Sequence, residues 1–196
     1  MKKILLLIIV SFFLFVSCNS KETKVNEKTL EDYHQEFKKY ANDYLFGLKA
    51  VLKRNLKNGG PIQGVTVCAD TASDLTKMFS DAIELDVRRV SFKNRNPKNV
   101  PDEVEAEILH KYESLLKKNK LTSDVETFGK YKLNGKEILR YMKPIIVEKK
   151  CLKCHGNMKT IPQNVRSFLR EKYPKDKAVN YKVGDLRGAI SITKEL

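Results

Sequence analysis

The string Cys151-Leu152-Lys153-Cys154-His155 constrains this chain more than any other feature. Two thiols separated by two residues, with a histidine directly after, form the attachment pattern of a c-type haem. Each thiol can add its S–H across one of the two vinyl groups of a single porphyrin. The adjacent imidazole is then held against the iron as an axial ligand. The expectation is one covalently attached haem c, bound through Cys151 and Cys154, with His155 on the metal. Two other uses of such a pair fit less well. A thioredoxin-like pair belongs at a strand-to-helix turn in a βαβ unit, and no such unit is visible. A zinc site needs two further ligands at motif spacing, and Cys68, His34 and His110 are scattered.

The first residues agree with a haem acquired outside the cytoplasm. Met1-Lys2-Lys3 is a charged start, and Ile4 to Val16 is almost unbroken apolar sequence, too short for the roughly 18–20 residues of a spanning helix. The run ends in Leu14-Phe15-Val16-Ser17-Cys18, a pattern resembling a bacterial lipobox, although Phe15 stands where leucine is more usual. Residues 1–17 are therefore expected to be a lipoprotein signal peptide, Cys18 the lipidated residue, and 18–27 a polar tether. Residues 28–196 would form one domain, exported and lipid-anchored on the periplasmic side of a bacterial membrane.

Charge narrows the partners. Loss of residues 1–17 takes the formal charge from +14 to +12. Nucleic acid is an unsuitable partner for an exported lipoprotein, so this excess points to a lysine-rich solvated surface, anionic headgroups or an acidic redox partner.

Four cysteines are present. With Cys18 on lipid and Cys151 and Cys154 on haem, Cys68 has no intramolecular disulfide partner. It is a buried inert thiol, one half of an intermolecular pair, or a metal ligand.

Periodicity predicts a long helix over about 27–57, carried by Phe37, Tyr40, Ala41, Tyr44, Leu45, Leu48, Val51, Leu52 and Leu56, and stopped by Asn58-Gly59-Gly60. Pro61 could open a second helical stretch, while Val65-Thr66-Val67 argues for a strand. Asp70 to Ser73 could cap a further helix reaching about Ile83. Strands are expected at 86–92, 125–128, 130–133, 136–147 and 188–193, with Asn134-Gly135 as a hairpin turn. Helices are expected from Pro101-Asp102 and over 162–173. The fold class is α+β with an antiparallel sheet.

Four stretches together resemble a known family: GGPIQGVTVCADTA (59–72), RRVSFKNRNPKNVPDEVE (88–105), RYMKPIIVEKKCLKCHG (140–156) and VGDLRGAISIT (183–193). Their order and spacing are similar to those of bacterial PAS-like domains carrying one c-type haem, over roughly residues 30–194. The resemblance implies a PAS-like central antiparallel sheet flanked by helices. It also implies a His/Cys axial pair, His155 with Cys68. Met78, Met142 and Met158 are the other candidates for the sixth ligand, and an open site is a further one. Lys93, Arg95, Arg140 and Lys143 flank these motifs and are candidate contacts to the haem carboxylates; His34 and His110 read as surface residues.

These features point to a redox or gas-responsive haem sensor, NO or CO being possible ligands, which acts on a separate signalling or redox partner. The alternative is a low-potential electron-transfer cytochrome. No catalytic triad, carboxylate pair or phosphate loop suggests an enzyme.

Overall fold

The computed structural model describes residues 28–196; the expected signal peptide, tether and Cys18 lie outside them. Among the described residues no helix is long and apolar enough to cross a membrane. Four helices and four strands follow in the order α1 (Leu30–Ile83), β1 (Asp86–Val90), α2 (Glu103–Lys117), β2 (Thr127–Leu133), β3 (Lys136–Ile146), α3 (Leu152–His155), α4 (Gln163–Lys172) and β4 (Leu186–Glu195). The strands form one antiparallel sheet ordered β1-β4-β3-β2, so the fold is α+β as expected.

Helix α1 starts at a capping box, Thr29 with Asp32, and breaks at Gly59 and Gly60. Gly60 sits at φ 67°, which a side chain would strain, and Pro61 restarts the helix with its φ preset. The two arms fold back antiparallel: Tyr44 Oη meets Thr76 Oγ1 at 2.6 Å, and the Tyr40 and Tyr44 rings lie against Phe79. The second arm is continuous through Val65-Thr66-Val67, so the strand alternative there fails. Thr66 donates to the Ile62 carbonyl, and Val65 is buried against Ile161, Val165 and Leu169. Packing thus overrides the β-branched preference. The separate helix start at Asp70 is absent for the same reason. Asn134-Gly135 makes the predicted hairpin, with both residues at positive φ, and the expected pieces 125–128 and 130–133 form the single strand β2.

Each face of the sheet buries one helix. Val87, Leu139, Tyr141, Ile190 and Ile192 pack under Phe37, Ala41 and Tyr44 of α1. Val90, Met142 and Ala189 face Val104, Ile108, Leu109 and Tyr112 of α2.

His34 is not the surface residue expected. Its side chain is half-buried, stacks on Phe128 at 4.9 Å and meets Glu126 at 3.0 Å. Burial alone would raise the Glu126 pKa, but Lys38, Tyr141 and His34 on its oxygens hold it below the usual carboxylate value. A carboxyl whose folded pKa is depressed stabilises the fold above its unfolded value near 4.5 and loses that contribution as pH falls through the folded pKa. Urea melts of Glu126→Gln should therefore show a shallower loss of stability below about pH 4.5 than the parent; parallel pH profiles would remove Glu126 from the account.

Candidate functional site

The Cys-x-x-Cys-His string is a compact local structure. A 3-10 turn over Lys149–Cys151 runs into the four-residue helix α3. Cys151 and Cys154 are one helical turn apart and therefore share a face. Both are free thiols. The chain leaves α3 at Gly156, whose N–H donates to the Leu152 carbonyl at 3.0 Å.

His155 is oriented from behind. Its Nδ1 donates to the Ala178 carbonyl at 2.7 Å, which assigns the proton to Nδ1 and leaves Nε2 as a free donor toward a metal. Segment 176–181 straps this histidine. Asn180 N–H donates to the Gly156 carbonyl, Tyr181 N–H donates to the His155 carbonyl, and the Tyr181 ring lies edge-on to the imidazole at 6.2 Å. Burial first, then the cations Arg187 and Arg95, hold the imidazolium form well below the usual histidine range, so the ring is the neutral donor a metal needs.

Arg95 ties the strap to the helix. Its Nη2 donates to the carbonyls of Cys154 at 2.7 Å and Ala178 at 3.2 Å, and its Nε pairs with Asp176 at 3.0 Å. Asp176 in turn accepts the Ala178 N–H at 2.8 Å. Lys93 braces the same segment, donating to the Val179 carbonyl at 2.8 Å and lying 4.2 Å over the Tyr181 ring.

One large cleft opens onto these groups. It encloses about 1420 Å³ when the open solvent at its mouth is counted. Leu45, Leu48, Leu52 and Leu56 of the first α1 arm form one wall, at three- and four-residue steps. Gly64, Val65, Cys68 and Ala69 of the second arm form another. Cys151, Cys154 and His155 face the same space, as do Arg89, Arg95 and Arg187. Cys68 therefore stands in one cleft with the Cys-x-x-Cys-His string although more than 80 residues separate them in sequence. Burial pushes its thiol pKa up, and the fields of Arg89 and Arg95 pull it back toward the thiolate. Burial raises Cys154 to about 11.

The competing sulfurs lie elsewhere. Met142 is wholly buried against α2, Met78 is two-thirds exposed and Met158 packs against the Ile161 cluster; none lines the cleft. His110 is exposed beside Glu113.

Of the four cations nominated from the sequence as carboxylate contacts, Arg95 lines the cleft and Lys93, Arg140 and Lys143 do not. Arg140 faces away, buried in a carboxylate network under α2. Lys143 does not line the cleft. Lys93 and Arg95 are committed to the 176–181 strap. Two further cleft-lining arginines, Arg89 and Arg187, have no ion pair among the described residues and sit inside RRVSF and DLRGA, stretches used for the resemblance without their cations being singled out. Alternation along β1 offered a signal for Arg89, since it shares a sheet face with core residue Val87; no local signal marks Arg187.

Comparison with known proteins decides the family. The Tll0287-like family model matches residues 18–194. The chain belongs to the Tll0287-like family. Its fold is also similar to the crystal structure of the cyanobacterial haem-protein Tll0287, with 30% identity and a TM-score of 0.53 over 66% of this chain and 71% of that one. No curated protein matches. Membership in this family makes the chain a relative of a haem protein, and the cleft fits the group. It combines apolar walls, two thiols on one helical turn, a neutral imidazole with Nε2 free, and unpaired guanidinium groups.

Proposed function

We propose that this chain is an exported, lipid-anchored c-type cytochrome with one haem, which responds to redox state or to a small gas through the His155/Cys68 pair. The observation that carries the reading is the convergence of Cys68 with Cys151, Cys154 and His155 on one cleft. The lipid anchor at Cys18 is read from the Leu14-Phe15-Val16-Ser17-Cys18 pattern. A four-stranded antiparallel sheet with helices on its faces supports a PAS-like arrangement.

When bound, haem supplies one-electron chemistry and a coordination site for a diatomic ligand. The chain supplies the rest. Cys151 and Cys154 form thioethers by addition, with no leaving group. His155 keeps its Nδ1 proton on Ala178 and offers Nε2. Cys68 offers an anionic thiolate, whose strong donation favours the ferric state and lowers the potential. Arg89 and Arg95 favour that thiolate by their charge. The second arm of α1, which carries Cys68, follows the first across the Gly59-Gly60 break and packs on it at its far end, where Thr76 and Phe79 meet Tyr44. Release of Cys68 in the ferrous state would free that arm to shift, a response a separate partner protein could read. This favours a sensor over the alternative, a low-potential electron carrier, for which a fixed ligand pair suits rapid transfer.

Optical and EPR spectra of ferric and ferrous protein, with and without NO, test the proposal after expression with cytochrome maturation factors. A Soret band is expected, with a thiolate-type ferric spectrum that Cys68→Ala changes while raising the potential. Absence of any Soret band would overturn haem attachment. A Cys68→Ala spectrum identical to the parent would overturn the sixth-ligand assignment alone.

A further inference from the structure

The cleft carries more positive charge than the protein balances. Glu148 at its rim is already paired with Lys49 at 2.7 Å and Lys150 at 2.8 Å. Arg95 is paired with Asp176. Arg89 and Arg187 remain, and among the described residues neither has a carboxylate within ion-pair distance. Arg187 reaches the Lys93 carbonyl at 3.2 Å and lies 5.6 Å over the Tyr181 ring. Burial, and repulsion from Arg95 and Arg89, make its positive charge less favourable than an ordinary arginine's. An arginine held among like charges in a partly dry cleft is a cost unless an anion completes it.

The backbone around Arg187 is shaped for this placement. In the β3–β4 ladder Ile145 pairs with Gly188 and Ile146 with Leu186, so Arg187 is the extra residue of a β-bulge. A bulge re-aims a side chain and ends regular pairing. Gly188, at φ 150°, permits it: a Cβ there would run into the Val90 carbonyl. Arg89 is one residue before Val90 on the neighbouring strand, on the sheet face that looks toward α1. The bulge thus brings two guanidinium groups from adjacent strands to the same cleft wall.

We infer that Arg89 and Arg187 form a clamp for a pair of carboxylates, the two propionates of the tetrapyrrole attached at Cys151 and Cys154. Two planar forks match two carboxylates in charge and in geometry, which lysines do not. The inference rests on the haem reading above and extends it to how the cofactor's polar edge is held. The clamp would also keep both carboxylates ionised, so the potential would be insulated from pH around neutrality.

Two measurements test this. In the holoprotein, Arg89→Gln/Arg187→Gln should retain covalent haem, assayed as the pyridine haemochrome. Its potential should fall, because two cations that favour the ferrous state are gone. A pH dependence of the potential should also emerge near neutrality as the released carboxylates titrate. Arg89→Lys/Arg187→Lys, which keeps the charge, should restore most of the potential and less of the flat pH profile. The second measurement leaves both arginines intact: the Cys151→Ser/Cys154→Ser chain should bind free haem at least tenfold more tightly than haem dimethyl ester, each charge-assisted contact contributing roughly a factor of ten. Equal affinity for acid and ester, or a glutamine variant with the parent's potential and pH profile, would overturn the clamp while leaving haem attachment standing. Failure of both haem forms to bind, with no haemochrome in the parent, would overturn the haem reading beneath it.

Discussion

Arg140→Met is expected to destabilise the fold by about 3–5 kcal/mol, the usual cost of breaking a buried ion pair. Arg140 is 1% exposed and its partner Glu105 is wholly buried. Arg140 Nη1 donates to Glu105 at 2.6 Å and to Ser191 at 2.8 Å, and Nη2 donates to Asp102 at 2.8 Å. Asp102 is the N-cap of α2 and Glu105 its N3 residue, so the guanidinium joins a capping box to the middle of the sheet. Removing it leaves the wholly buried Glu105 carboxylate with only Arg88 Nε at 3.5 Å and the Asp102 N–H at 2.9 Å. A native domain has only about 5–15 kcal/mol to lose, so the effect should be plain in urea melts. Part of the cost is a buried carboxylate left with Arg88 as its one cation, so Arg140→Met/Glu105→Leu should recover part of the loss. A double variant no more stable than Arg140→Met would show that the fold depends on the pair's own attraction instead.

The second large effect is expected at Arg95. In the holoprotein, Arg95→Gln should let exogenous imidazole displace the axial histidine at roughly 10–100-fold lower concentration, the range over which supporting contacts of metal ligands act. Arg95 touches neither ring nitrogen of His155. It holds the Ala178 carbonyl that accepts from Nδ1, and the Cys154 carbonyl of the attachment helix, in one grip. Loss of the fork frees the strap, and the imidazole loses its fixed orientation. Asp176→Asn should act in the same direction more weakly, because Asp176 orders both Arg95 and the Ala178 N–H. Optical titration reads the displacement, and unchanged midpoints in both variants would limit the strap to a structural part. A general loss of stability would lower the melting point without moving the imidazole midpoint.

The half of the site that is local was legible without any structure. Cys151, Cys154 and His155 lie together in a short turn and helix, and their proposed chemistry is read from spacing alone. The break at Gly59-Gly60, the Asn134-Gly135 hairpin and the α2 start at Asp102 were equally legible, because caps and turns depend on a few adjacent residues. The second α1 arm was ambiguous, since its β-branched run favours a strand and only burial of Val65 against α4 and its neighbours decides for helix.

Charged residues were least legible. Arg140 and Arg187 lie in equally suggestive motifs, but one is sealed under α2 and the other is turned into the cleft by a bulge. A side chain's partner across a sheet depends on register, and register depends on pairings between strands some 50 residues apart. The sequence by itself determined the Cys-x-x-Cys-His spacing and the α+β pattern, because each resides in local spacing and period. Only the tertiary structure decided that Cys68, Arg89 and Arg187 share the cleft with it, because loop closure and strand register, not neighbouring residues, bring them there.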